Sequence, residues 1–190
     1  DGVIVDHVIK AVADGVSFNL VASNKGDQVS AAHWAQPCTR VGLFTGTGAD
    51  VTDSKYAYLG QSFIFQDKDD KPDFMPTAGW SIKGRYTPGQ VWCPKHVPRT
   101  DVNPRPLHPD APHLGLIGCV SDDEKWLLAI AWEPYQELFQ GVIRCLHSDL
   151  RIGGLAPGQS KTIRGRIYVV PNDFPGLLAR YRRVFPEQVQ

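Results

Sequence analysis

The hydrophobic positions of this chain fall in short runs, most of them at strand spacing. Residues 16–23 alternate Val16, Phe18, Leu20 and Ala22 against Ser17 and Asn19, the period of a half-buried strand. The turn Asn24-Lys25-Gly26-Asp27 leads into residues 28–43, broken at Pro37, and the two runs together predict a hairpin. Residues 56–66 read as a further strand, and 80–86 and 90–92 as shorter ones. Residues 114–121 and 126–133 flank Asp122-Asp123-Glu124 as a second hairpin. Residues 142–149 and 161–170 complete the set. In the last run Ile163, Ile167 and Val169 face one way while Thr162, Arg164, Arg166 and Tyr168 face the other, which predicts an antiparallel strand with a basic outer face.

Helical spacing is convincing once, over residues 174–185. Leu177, Leu178, Tyr181, Val184 and Phe185 form one stripe, Asp173 can cap it, Pro175 suits its first turn and Pro186 stops it. Arg180, Arg182 and Arg183 lie late in the helix, where cations complement its dipole. About nine short strands, with turn signals every 8–12 residues or so, predict an all-β fold. The expected architecture is an antiparallel β-sandwich or jelly roll with one short C-terminal helix, a single domain over residues 1–190.

Three segments interrupt the pattern. Residues 44–53 are a Gly/Thr/Asp loop. Residues 67–73 are an acidic turn lacking the sixth-position Gly and distal Glu of an EF-hand. Residues 93–112 hold six prolines and cannot form regular structure; a loop of that length is usually functional or disordered.

Composition narrows the partners. Twenty basic and 20 acidic residues give a formal net charge of zero, against the basic face of a nucleic-acid binder. No apolar run approaches the ~18 residues of a membrane span. Plentiful Pro, Gly, Trp and Tyr suit a secreted or periplasmic β protein, and a chain opening Asp1-Gly2 reads as a processed or trimmed product. The even count of four cysteines, Cys38, Cys93, Cys119 and Cys145, fits disulfides such as Cys93–Cys119 or Cys38–Cys145, or equally four buried thiols.

The richest chemistry lies in residues 126–154. If 126–133 pairs antiparallel with 142–149 across a loop at 134–141, Trp126, Leu128, Ile130 and Trp132 share a face with Ile143, Cys145, His147 and Asp149. That places a histidine and a carboxylate beside aromatic rings, as in a sugar site; the alternative is a core face with His147 buried and hydrogen-bonded. Arg151 continues the alternation. His147 and Arg151 are therefore candidate catalytic residues, His147 as acid or base and Arg151 as neutraliser of a substrate carboxylate. Trp126, Trp132 and Asp149 are candidate substrate contacts. In this register Glu133 and Asp149 lie some 23 Å apart, at about 3.3 Å per residue, too far for a glycosidase pair.

A second cluster, His33-Trp34-Ala35-Gln36-Pro37-Cys38-Thr39-Arg40, supplies His33 and Arg40 as further catalytic candidates and Gln36 as a substrate contact. A third, Cys93, His96, His108 and His113, has metal-ligand chemistry without a compact zinc spacing. No GxSxG, P-loop or GxGxxG is present.

The closing stretch RIGGLAPGQSKTIRGRIYVVPNDFPGLLARYRRVFP resembles the end of secreted bacterial β-sandwich proteins, in which a PGxxK turn precedes a last strand and a short helix. The look is similar to galactose-mutarotase-like and jelly-roll carbohydrate-active proteins. It implies a polysaccharide or oligosaccharide ligand. The leading expectation is a polysaccharide lyase cleaving a uronate-containing glycan by β-elimination, with no cofactor and no bound metal. The alternatives are a non-catalytic glycan-binding module and a metal-dependent protein using residues 93–113.

Overall fold

A computed structural model describes residues 2–48, 57–74, 90–102 and 106–188. Within them lie β1 (Val3–Val12), β2 (Gly15–Asn24), β3 (Trp34–Ala35), β4 (Thr39–Arg40), β5 (Ser62–Ile64), β6 (Asp73–Phe74), β7 (Leu116–Val120), β8 (Trp126–Glu133), β9 (Tyr135–Gly141), β10 (Cys145–Arg151), β11 (Ser160–Pro171) and helix α1 (Phe174–Val184). A seven-stranded sheet runs β1-β2-β11-β8-β7-β5-β6, and a smaller one sets β9 on one side of β10 and the short β3 and β4 on the other. All these pairings are antiparallel. The chain is an all-β antiparallel sandwich with one short C-terminal helix, as the spacing predicts.

Alternation decides what each layer buries. From the large sheet Leu20, Ile130, Trp132 and Ile163 meet Leu138, Leu146 and Leu150 of the small sheet. On the other face of the large sheet Phe63, Leu116, Tyr168 and Val170 pack against Leu177, Leu178 and Tyr181 of α1. Asp173 caps that helix by accepting a hydrogen bond from the Gly176 amide. The outer face of the small sheet is covered too: Phe139 packs with Val91, Cys93, Val97 and Val102 of the proline-rich segment. Helix, large sheet, small sheet and irregular cover thus make four layers.

Several expectations are corrected. Residues 126–133 do not hairpin with 142–149. Pro134, which has no N–H for a ladder, ends β8, and residues 135–141 form a strand that hairpins with β10. β8 lies instead between β7 and β11. The partner of residues 15–24 is β1, with β11 on the other side, while residues 28–43 keep only the two-residue strands β3 and β4. Residues 57–61 form a 3-10 turn before β5, and the run 80–86 lies outside the described residues. β11 is central, yet its basic face is not a solvent face. Tyr168 and Val170 are buried beneath α1, Val169 is exposed, and Arg166 pairs with Asp14 and Arg164 with Glu187. The 114–121/126–133 hairpin is found as β7–β8.

Gly165 of β11 sits directly across from Trp132. A Cβ there would lie 2.3 Å from Trp132 Cζ3, so the indole occupies the space that glycine leaves. Gly165→Ala should therefore lower stability by about 1–3 kcal/mol, the usual cost of overpacking. Denaturant unfolding followed by tryptophan fluorescence measures it; an unchanged midpoint would show that the ring can move aside.

Candidate functional site

The site is built on the outer face of the small sheet. Leu146 and Leu150 point into the sandwich, so Cys145, His147, Asp149 and Arg151 point the other way. Across the ladder His147 faces Phe139, Asp149 faces Glu137 and Cys145 faces Gly141; on the other side Cys145 faces Arg40. The Cα pairing of β10 covers Trp34 and Ala35, then Thr39 and Arg40. Gln36, Pro37 and Cys38 bridge the interval beside His147 and Asp149.

This interval brings four sequence-predicted residues together around one that was read only as a disulfide candidate. The Sγ atoms of Cys38 and Cys145 and a ring nitrogen of His147 lie within 4.8 Å of one another. Cys145 Sγ is 3.2 Å from His147 Nε2. On its far side His147 Nδ1 is 3.4 Å from Asp149 Oδ1, an ion-pair contact rather than a well-aligned hydrogen bond. Gln36 Nε2 donates to Asp149 Oδ2 at 3.1 Å. The imidazole is stacked on Phe139 with ring centroids 4.2 Å apart and planes 3° from parallel. Gly141 is required beneath it, because a Cβ there would come within 2.3 Å of Cys145 Sγ and 3.1 Å of His147 Nε2.

Burial is graded along this chain of groups. Asp149 is 0% exposed and His147 6%, whereas Cys38 is exposed. Charge follows the same path. Hydrogen bonds from Cys145 and then His147, helped by the charges of His147 and Arg40, outweigh burial and lower the Cys38 pKa to about 5. Burial alone would lower the pKa of His147, but Asp149 and the Cys38 thiolate outweigh it and raise it to about 9. Burial raises Asp149 to about 6, against the pull of His147, Gln36 and Glu137. Cys145 is raised by its hydrogen bond to Cys38 and by burial, so it stays a thiol. At neutral pH the arrangement is a Cys38 thiolate beside a His147 imidazolium, oriented from behind by a carboxylate.

A cleft of about 420 Å³ opens beside Cys38, walled by Phe18, Ile130, Trp132, Leu150 and Ile167 and bounded by Gln36. Trp132 thus lines this cleft, though not on a face shared with His147. Trp126 does not: it pairs with Pro171 at the end of β8, away from the cleft. Arg151 and His33 form a separate group. The Arg151 guanidinium donates to Asp101 and to Gln136 Oε1, and His33 Nδ1 lies 3.9 Å from Asp101 Oδ2. Arg151 shares a strand face with His147, but four residues of strand, about 13 Å, separate them.

The four groups proposed around residues 93–113 do not gather among the described residues. Cys93 Sγ accepts from Arg99, and His108 stacks on Trp92. His96 and His113 instead line an open polar pocket of about 520 Å³ with Glu133 and Tyr135. None of the four cysteines is in a disulfide, so neither Cys93–Cys119 nor Cys38–Cys145 is bridged. Cys38, Cys145 and His147 are donors of the types that hold a thiophilic cation such as Zn²⁺, with Asp149 behind the imidazole as a second-shell carboxylate. The period-2 run Cys145, His147, Asp149 was one signal for this site; the other was the possible Cys38–Cys145 pairing, which the structure realises as neighbouring thiol groups and not as a disulfide.

The fold and site define a β-sandwich with a thiol–imidazole–carboxylate relay on a covered sheet face. No protein-family model matches the chain, and no curated protein matches it. Among solved structures, the chain is similar to an Escherichia coli K12 protein described as a "Putative aldose 1-epimerase", at 12% identity and a TM-score of 0.41, over 87% of this chain and 59% of that one. The chain therefore spans well under two thirds of that protein's length, and a likeness of this size assigns no activity.

Cys38 alkylation by iodoacetamide should follow the thiolate. Its rate should be near its plateau by pH 6–7, fall away below about pH 5, and change again as His147 loses its proton near about pH 9. With His147→Ala the lower inflection should move upward, toward the ordinary thiol range. Mass spectrometry of the labelled peptide at a series of pH values reads both; a wild-type inflection near 8.5 would contradict the ion pair.

Proposed function

We propose that this chain is a thiol-dependent enzyme acting on an ester or comparable acyl group of a small molecule, with an acylated carbohydrate as the substrate class. The observation that carries it is the exposed Cys38 backed by buried His147 and Asp149 at the mouth of a cleft. The Cys38 sulfur attacks the carbonyl carbon. The tetrahedral adduct collapses, the bond to the leaving oxygen breaks, and His147 gives that oxygen its proton. Neutral His147 then takes a proton from water, whose oxygen displaces Cys38 from the thioester and releases the acid. Asp149 keeps the imidazole oriented and stabilises its charge. The aromatic and aliphatic cleft wall suits the apolar face of a sugar ring, and Gln36 and Arg40 beside Cys38 suit its hydroxyls or an acidic group.

A second reading keeps the uronate lyase. Gln36, Cys38 and Arg40 alternate along one exposed segment, so an arginine stands beside a thiolate. Arg40 would neutralise the uronate carboxylate, the thiolate would take the C5 proton, and His147 would protonate the leaving oxygen. His147 itself is a poor base here, since it holds its proton up to about pH 9.

A panel of acylated sugars and acidic polysaccharides separates the two, by release of acid in one case and ultraviolet absorbance of an unsaturated uronate in the other. Cys38→Ala should abolish the activity found, by roughly 10⁴-fold or more for a lost nucleophile, while the variant stays folded because the residue is exposed. Cys145→Ala should cost far less. Full activity in Cys38→Ala would remove the relay from the chemistry. Binding of a glycan without turnover would leave a carbohydrate-binding module, and stoichiometric zinc or copper on elemental analysis would replace the nucleophile by a metal centre.

A further inference from the structure

The first strand is the least protected part of the large sheet. β1 is ten residues long and, among the described residues, pairs with β2 alone, at the edge of the seven-stranded sheet. Its register with β2 runs from Val3 opposite Asn24 to Val12 opposite Gly15 without a break, so neither a bulge nor a proline blunts it. Both faces are apolar and open: Ile4 is 53% exposed and Val8 48% on one, Val5 44% and Ile9 58% on the other. A long, regular, hydrophobic edge is a template for another strand.

We propose that β1 pairs antiparallel with β1 of a second copy of this chain, about a two-fold axis through Val8. The charge pattern selects that partner and that register. The strand carries one acid and one base, Asp6 and Lys10, two residues either side of Val8 and on the same face. With Val8 opposite Val8, each Asp6 stands across from the other copy's Lys10. The same register sets Ile4 against Val12, Val5 against Ala11 and His7 against Ile9, so apolar positions meet apolar or ring partners along the strand. Centring the axis on Asp6 or Lys10 would put like charges face to face, which destabilises a cross-strand pair. Centring it on His7 would place Asp6 against Val8 and Lys10 against Ile4, leaving both charges without a mate. The result is a closed, isologous dimer whose two large sheets join into one continuous sheet. This edge is the opposite end of the large sheet from β5 and β6, and His7 of β1 lines the rim of the cleft beside Cys38.

Light scattering coupled to size-exclusion chromatography tests it. The wild-type chain should run as a dimer at tens of micromolar, the range expected for an interface of one strand pair. Val8→Lys should be a folded monomer, since it sets two ammonium groups at the axis. Asp6→Lys and Lys10→Asp should each be monomeric alone, and mixing the two variants should give a heterodimer with opposite charges across both pairs. Combining both substitutions in one chain should restore the homodimer. A monomeric wild type at 100 µM or so would overturn the proposal, including the case where a different protein covers this edge. So would a dimer indifferent to Val8→Lys, or variants that fail to pair when mixed.

Discussion

Charge and polarity on the outer face of the small sheet are largely withdrawn from water, between that sheet and the proline-rich cover. That constraint organises this side of the molecule. Gln136, Glu137, His147 and Asp149 are all buried there, where each charge costs free energy unless a neighbour offsets it. Gln136 receives the Arg151 guanidinium and donates to the Asp101 carbonyl, while Gln140, on the inner face, donates to Leu59 O and Ser62 Oγ across the sandwich. The proline-rich cover supplies both apolar contact, through Val91, Val97 and Val102, and the acceptor Asp101. Cys38 is where this closed network meets solvent.

The relay follows from the same burial. Desolvation disfavours an isolated charge, so Asp149 would sit protonated and His147 neutral if each stood alone. They are adjacent, and a thiol with two hydrogen-bond partners stands at the open end. The favourable state is one in which negative charge resides on the exposed sulfur and positive charge is sandwiched between it and the carboxylate. Phe139 holds the ring flat against the sheet, and the missing side chain at Gly141 lets Cys145 approach. Reactivity therefore comes from the placement of ordinary residues.

Much of the large sheet was legible because its strands alternate cleanly: β2, β7, β8 and β11 were found at close to their observed bounds, and the helix stripe ended where Pro186 stops it. β9 was not legible. YQELFQG is buried on both faces, but three of its residues are Gln or Glu, and only tertiary partners make them interior residues. β1 was missed because its exposed pattern, apolar on both sides of the strand, is neither alternating nor bounded by a strong turn at its start. For the site, His147, Asp149, Gln36 and Arg40 were marked by residue type and alternation and lie together around Cys38, whereas Trp132 lies across the sandwich, reaching only the cleft beside Cys38. Arg151 and His33 gather instead on Asp101, and Trp126 lies beside Pro171, because β8 pairs with β7 and β11 and not with β10. The pairing of Cys38 with Cys145 spans more than a hundred residues and depends on the break between β3 and β4, which no local pattern announces.

That break has a mechanical meaning. Between Ala35 and Thr39 the chain makes no Cα ladder pair with β10, so Pro37 and Cys38 ride on a compliant span, whereas His147 and Asp149 are fixed by their ladder with β9. The two halves of the relay thus differ in stiffness: the sulfur can approach or withdraw from the imidazole without breaking the ladder, with the Gln36–Asp149 hydrogen bond as its nearest tether. Such a mounting makes the ion pair sensitive to whatever fills the cleft, because a ligand that presses on residues 36–38 changes the sulfur–nitrogen separation directly.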